Sequence, residues 1–174
     1  GMANIYLSST LLWNGSMEEI FDMVFQSGLD GIELWSQQFF YRKFDIDEFE
    51  KLAALYPLKN CIHSQSWDLN ISSVNDGIRK QSVTEVKKSV ELAYQLGLDE
   101  VTVHPGHCTI SGIGVSYGAY LKESLREILE YAQKWKIDVS LEIMEKIPRE
   151  FVTTMDAMKE VCGDMFDQFV YTWM

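Results

Sequence analysis

Basic residues are in short supply: 15 lysines and arginines stand against 26 aspartates and glutamates, for a net charge of −11. Such a field repels phosphate backbones at long range, so nucleic acid is an unpromising partner. Long apolar runs are missing too. No stretch approaches the ~18 residues of a membrane span, and the N-terminus has no basic-then-apolar leader pattern. Cysteine is sparse and odd in number; Cys61, Cys108 and Cys162 are widely spaced and read as reduced thiols in a cytoplasm rather than a disulfide framework. Proline occurs only three times, and no low-complexity linker breaks the chain, so its 174 residues are expected to form one domain, 1–174. Histidine is equally scarce. Of only three, His104 and His107 flank a Pro-Gly in DEVTVHPGHCTISG (99–112).

What is present alternates regularly. Apolar strand-like runs fall at 4–10, 30–35, 58–64, 99–104, 137–143 and 168–174. Between them lie helix signals. Ser16 opens a capping box with Glu19, followed by Ile20, Met23 and Val24 on one stripe and a stop at Gly28. Asp45 and Glu48 announce a second helix, and Val83, Val86, Val90 and Ala93 mark a third that closes at Gly97. Leu121, Leu125, Ile128, Leu129 and Ala132 mark one over 117–135, and a shorter helix is expected over 151–162. Strand–helix alternation with short connections predicts a parallel sheet covered by helices, in either a doubly wound fold or a barrel.

Side-chain register separates these. Stepping back two residues from the last polar residue of strands two to five pairs Glu33 with Gly31, His63 with Cys61, His104 with Thr102, and Glu142 with Ser140. The intervening residues, Ile32, Ile62, Val103 and Leu141, are large and apolar. One face is therefore small or polar and the other packs helices, as a (β/α) barrel requires; a doubly wound sheet needs bulk on both faces. The expected fold is α/β, a parallel TIM-barrel-like sheet of about five and a half units.

Barrel enzymes carry their chemistry at the C-terminal ends of the strands. Glu33, His63, His104 and Glu142 hold that position on four consecutive strands. Imidazole and carboxylate suit Zn²⁺, Mn²⁺ or a similar divalent ion, so His63, His104 and Glu142 form a candidate three-ligand set. Glu33 is a candidate for binding a substrate hydroxyl, and His107 lies further out on its loop. Trp13, Trp35 and Trp67 follow strands one, two and three and offer an apolar wall for a sugar ring. The glycines of SGIGVSYG (111–118) fit neither the dinucleotide nor the phosphate-loop pattern and read as a mobile loop over the barrel mouth.

IHSQSWDLNISS, IRKQSVTEVKKSVELAYQLGLDEVTVHPG and VSLEIME together resemble the xylose-isomerase-like barrel superfamily. That superfamily includes sugar phosphate isomerases/epimerases and endonuclease IV-type apurinic endonucleases. The resemblance implies a (β/α)8 barrel with divalent metal at the strand ends. His63 and His104 match metal-binding histidines of the nuclease branch, and Glu142 matches a strand-five glutamate that ligates metal and, in epimerases, moves a proton beside the substrate carbonyl. The family's later strands and their ligands have no counterpart here, since a whole barrel takes ~250 residues. The chain therefore reads as C-terminally truncated, with its metal incompletely coordinated and its barrel edges exposed for homo-oligomer formation. The expected function is metal-dependent proton transfer on a small carbohydrate or sugar phosphate, with Glu142 as catalytic base. The alternatives are hydrolysis of abasic DNA and a non-catalytic sugar- or metal-binding remnant.

Overall fold

Each apolar run becomes a strand because its alternate residues have two different surfaces to satisfy. The computed structural model describes residues 4–110 and 116–174. Its strands are β1 (Tyr6–Ser8), β2 (Gly31–Trp35), β3 (Cys61–His63), β4 (Glu100–Val103), β5 (Asp138–Ile143) and β6 (Val170–Trp173). They form one parallel sheet in the order β1-β2-β3-β4-β5-β6, each strand beside its sequence neighbour. The result is a half-barrel with helices on its outer face. Among the described residues, β1 and β6 each pair on one side only.

The helices are α1 (Met17–Ser27), α2 (Ser36–Tyr41), α3 (Ile46–Leu55), α4 (Asp76–Gln95), α5 (Tyr117–Lys134) and α6 (Met155–Cys162). α1 begins at the expected capping box, with Ser16 and Glu19 satisfying each other's backbone N–H groups. It ends at Gly28, whose φ of 75° favours a residue without Cβ. The Asp45 side chain accepts from Glu48 N–H and starts α3. Besides a 3₁₀ turn (Gly163–Gln168) before β6, two elements depart from the pattern reading. A 3₁₀ turn (Ser9–Leu12) follows β1 directly, and α2 follows β2 with no loop between. Both are too short for a helical period to register. The helix expected from 151 begins at Met155, where the Thr154 hydroxyl accepts from Ala157 N–H.

The two-faced register holds. Ile32, Ile62, Val103 and Leu141 are completely buried under the helices. Glu33, Cys61, Thr102 and Ser140 line the concave side. Gly31 is demanded by a close approach: a Cβ there would lie 1.3 Å from the Lys59 carbonyl oxygen, just before β3. Residues 111–115, the greater part of the expected mobile loop, lie outside the described residues.

Candidate functional site

The tips of β3 and β5 converge. Cα register sets Trp35 beside His63, His63 beside Thr102, and Glu142 beside Thr172. Across the concave face, His63 Nε2 lies 2.5 Å from Glu142 Oε1, and both side chains are buried. The other ring nitrogen has a fixed role: His63 Nδ1–H donates to the Ser64 carbonyl at 2.8 Å, because a carbonyl only accepts. Burial pulls the His63 pKa down, but the hydrogen bond to Glu142 and its charge outweigh this, so the ring is held above the ordinary histidine range. Burial pushes Glu142 up, and the hydrogen bond and charge of His63 outweigh that in turn, so its carboxyl is held below the usual range. The two directions agree on an imidazolium–carboxylate pair.

Outer packing fixes the pair. Trp35 stacks on His63 with ring centroids 3.8 Å apart and planes 3° from parallel. Behind the ring, Ser36 Oγ donates to the His63 carbonyl at 2.8 Å and meets Ser89 Oγ of α4 at 2.8 Å. Ser89 Oγ also accepts from Gln65 N–H. A helix-borne hydroxyl thus holds the strand end from beneath. Glu33, Trp35, His63, Ser66, His104 and Glu142 are among the residues lining a cavity of about 190 Å³ in front of the pair. Burial raises the Glu33 pKa above the usual carboxylate value.

His104 lines the same cavity in a different role. Gly106, with φ of 84°, turns its N–H back to the His104 Nδ1 at 2.9 Å. Nδ1 is therefore the acceptor, and in the neutral ring Nε2 carries the proton. Burial lowers this histidine's pKa to about 4, which keeps the ring neutral. Nε2 faces Glu150 Oε1 at 3.7 Å. The Pro-Gly thus orients a histidine, and the turn needs glycine, since a Cβ on Gly106 would sit 2.4 Å from Asn70 Oδ1. Asn70 also latches the next residue, accepting from His107 N–H and donating to the His107 carbonyl. His107 lines an adjoining cavity of about 400 Å³ with Trp67, Arg149 and Glu150.

Among the described residues, no three His, Cys, Asp or Glu side chains are grouped so as to hold a metal ion. The three expected ligands are placed as a pair and a neighbour: His63 with Glu142, and His104 facing Glu150. Two donors suit a divalent ion. His63 donates Nδ1–H to a carbonyl, the usual arrangement behind a metal-bound imidazole, so Nε2 would offer a lone pair to an ion that displaced its proton. The Glu142 carboxylate is the second donor.

Glu150 is a site residue that pattern reading misses. It lies in the β5–α6 connection, where no period marks it. Its side chain is only 3% exposed, and its Oε2 is buried without a hydrogen-bond partner among the described residues. Trp35 Nε1 is buried without a close partner as well, and the Trp35 side chain acts on Glu33, opposing the upward push of burial on that carboxyl. Trp35 and Glu150 both line the outer cavity.

Comparison with known proteins identifies the architecture. The family model described as xylose isomerase-like TIM barrel matches residues 21–170. The chain belongs to this family. An uncharacterized protein of Methanocaldococcus jannaschii is 30% identical over 154 residues, which cover 85% of this chain and 57% of that protein. Another from the same organism is 28% identical over 114 residues, covering 63% and 38%. The chain thus spans about half the length of these curated relatives. A D-tagatose 3-epimerase-like protein superposes with a TM-score of 0.84 at 23% identity, over 98% of this chain and 64% of that one. The 3-keto-D-glucoside 4-epimerase of E. coli superposes with a TM-score of 0.81 at 14% identity, over 99% and 67%. At these identities the likeness shows a shared fold. No helix among the described residues is long and apolar enough to cross a membrane.

Proposed function

We propose that the chain is a sugar isomerase/epimerase-like protein in which Glu142 moves a proton on carbon beside the carbonyl of a small carbohydrate. The observation that carries this reading is the buried His63–Glu142 ion pair at the floor of a strand-end cavity with an aromatic wall. Family membership and the epimerases named above are consistent with it.

The chemistry follows from the pair. His63 holds Glu142 ionised, so a base stands ready at the cavity floor. A carbonyl oxygen entering beside the imidazolium meets its positive charge, which stabilises the negative charge building on that oxygen and so acidifies the neighbouring C–H. Glu142 takes that proton and returns it to the former carbonyl carbon on the same face, while the proton of the neighbouring hydroxyl passes to the former carbonyl oxygen, a one-base aldose–ketose shift. The Glu150 carboxylate, on the wall of the outer cavity, accepts from a substrate hydroxyl. Glu33 receives a second hydroxyl. Zn²⁺, Mn²⁺ or a similar ion seated on His63 Nε2 and Glu142 would supply a Lewis acid for the carbonyl oxygen. A phosphate group, where present, belongs toward Arg149 on the outer cavity rather than between Glu33 and Glu142 in the inner one. The same reading has copies of the chain associating through β1 and β6.

Incubation with a panel of ketoses and aldoses in D₂O, with added Mn²⁺ and with chelator, tests the proposal. Proton NMR should show deuterium entering at the carbon next to the carbonyl, and Glu142→Gln should slow this at least about 100-fold. Absence of uptake from every sugar under both conditions sinks it. Sugar binding without uptake marks the non-catalytic alternative. Steeply salt-dependent DNA binding would revive the nuclease alternative against the acidic charge.

A further inference from the structure

The three tryptophans expected to form one wall divide into two groups. Trp35 belongs to the reacting centre through its stack on His63. Trp13 and Trp67 lie 5.3 Å apart by ring centroid, and Tyr41 joins Trp13 at 6.0 Å. These three rings and Gln37 enclose a separate cavity of about 380 Å³. The groups connect: Trp67 is 5.7 Å from Trp35, and it lines both this cup and the cavity holding His107 and Glu150. An unbroken run of aromatic faces therefore leads from His63 outward to Tyr41.

Rim packing would account for loop aromatics that bury one another. These do not: Trp67 is 47% exposed and Tyr41 72%. Exposed aromatic faces gathered around one concavity mark a surface that is covered in use. The cup is also held from behind. The wholly buried Gln38 donates through Nε2 to the carbonyls of Leu12 and Trp13, each at 3.2 Å. Arg42 Nη1 donates to the Trp13 carbonyl as well, and to Gly15 O at 3.2 Å. Two side chains of the α2 segment thus lock the Trp13 loop in place. α2 itself supplies Gln37 and Tyr41, so one short helix both builds the cup and braces it.

We infer that the Trp13–Gln37–Tyr41–Trp67 cup is a second carbohydrate subsite, and that the substrate is a glycoside or disaccharide whose reacting sugar sits at Glu142 while its second ring stacks in the cup. The inference rests on the proposed reading of Glu142. The aromatic faces suit the apolar C–H face of a pyranose, and the Gln37 amide supplies a donor and an acceptor for its hydroxyls. A free monosaccharide fills only the inner cavity.

Calorimetric titration with D-fructose and with lactulose, a fructose bearing a galactosyl ring, tests this on the unmodified chain and on Trp67→Ala, Tyr41→Ala and Tyr41→Phe. The disaccharide should bind about 10-fold tighter than the monosaccharide to the wild type. That ratio should fall toward one in both alanine variants and persist in Tyr41→Phe, which keeps the ring. A wild-type ratio near one, a ratio that survives both truncations, or binding of neither sugar overturns the inference. Titration needs no turnover, so its outcome is separate from that of the deuterium-uptake assay.

Discussion

Removing the imidazole of His63 strands the Glu142 charge in the interior. Breaking a buried pair from one side costs roughly 3–5 kcal/mol, so His63→Ala should lose stability on that scale in urea unfolding. The double change to Ala at His63 and Leu at Glu142 removes both charges and should recover much of the loss. If the single variant unfolds at the wild-type urea concentration, the pair is not buried as described. Glu142 and both histidines were legible in the sequence because strand alternation assigns each residue a face. Their mutual arrangement was not. The turn at Gly106 decides which nitrogen of His104 carries the proton, and a backbone φ leaves no mark in residue spacing. Glu150 escaped for a related reason: its place is set by the connection after β5 rather than by a period.

At the level of elements, the N-terminal ends of β4 and β5 gather Asp99, Glu100 and Asp138. Burial, then the charges of Asp99 and Asp138, raise the Glu100 carboxyl above its usual value. A carboxyl bound more tightly to its proton in the folded state destabilises the fold progressively as pH rises above its unfolded value, and in full above its folded value. Glu100→Gln should therefore raise the thermal midpoint at pH 7, and the gain should shrink as pH falls through the ordinary carboxylate range. An advantage that stays constant down to pH 3 would refute the electrostatic cause. The junction of β2 with the segment before β3 is steric instead. Gly31→Ala drives a methyl into the Lys59 carbonyl and should cost on the order of 3 kcal/mol, measured by chemical denaturation. The six strands and the longer helices were legible from alternation and caps. The Ser9–Leu12 turn and α2 were not, because one or two turns of helix carry too few apolar positions to show a period. α2 nevertheless supplies Gln37 and Tyr41, so the least legible helix shapes the aromatic cup.

At the scale of the whole fold, β1 and β6 each have one side without a strand partner among the described residues, and β6 carries exposed Val170 and Trp173 with Met174 just beyond. Light scattering should show association rising with micromolar concentration. Val170→Lys should weaken it, because a charge on an edge strand opposes strand-to-strand pairing. A wild type that stays monomeric throughout would dismiss this contact. The strictly sequential strand order carries a separate consequence. Every strand is hydrogen-bonded only to its neighbours in the chain, so the sheet can fray inward from either side as a stack of units. Amide hydrogens should exchange with solvent fastest in β1 and β6 and slowest near β3 and β4. The imidazole on β3 and the carboxylate on β5 would then stay joined through the commonest partial openings, with the chemistry lodged where the structure comes apart last.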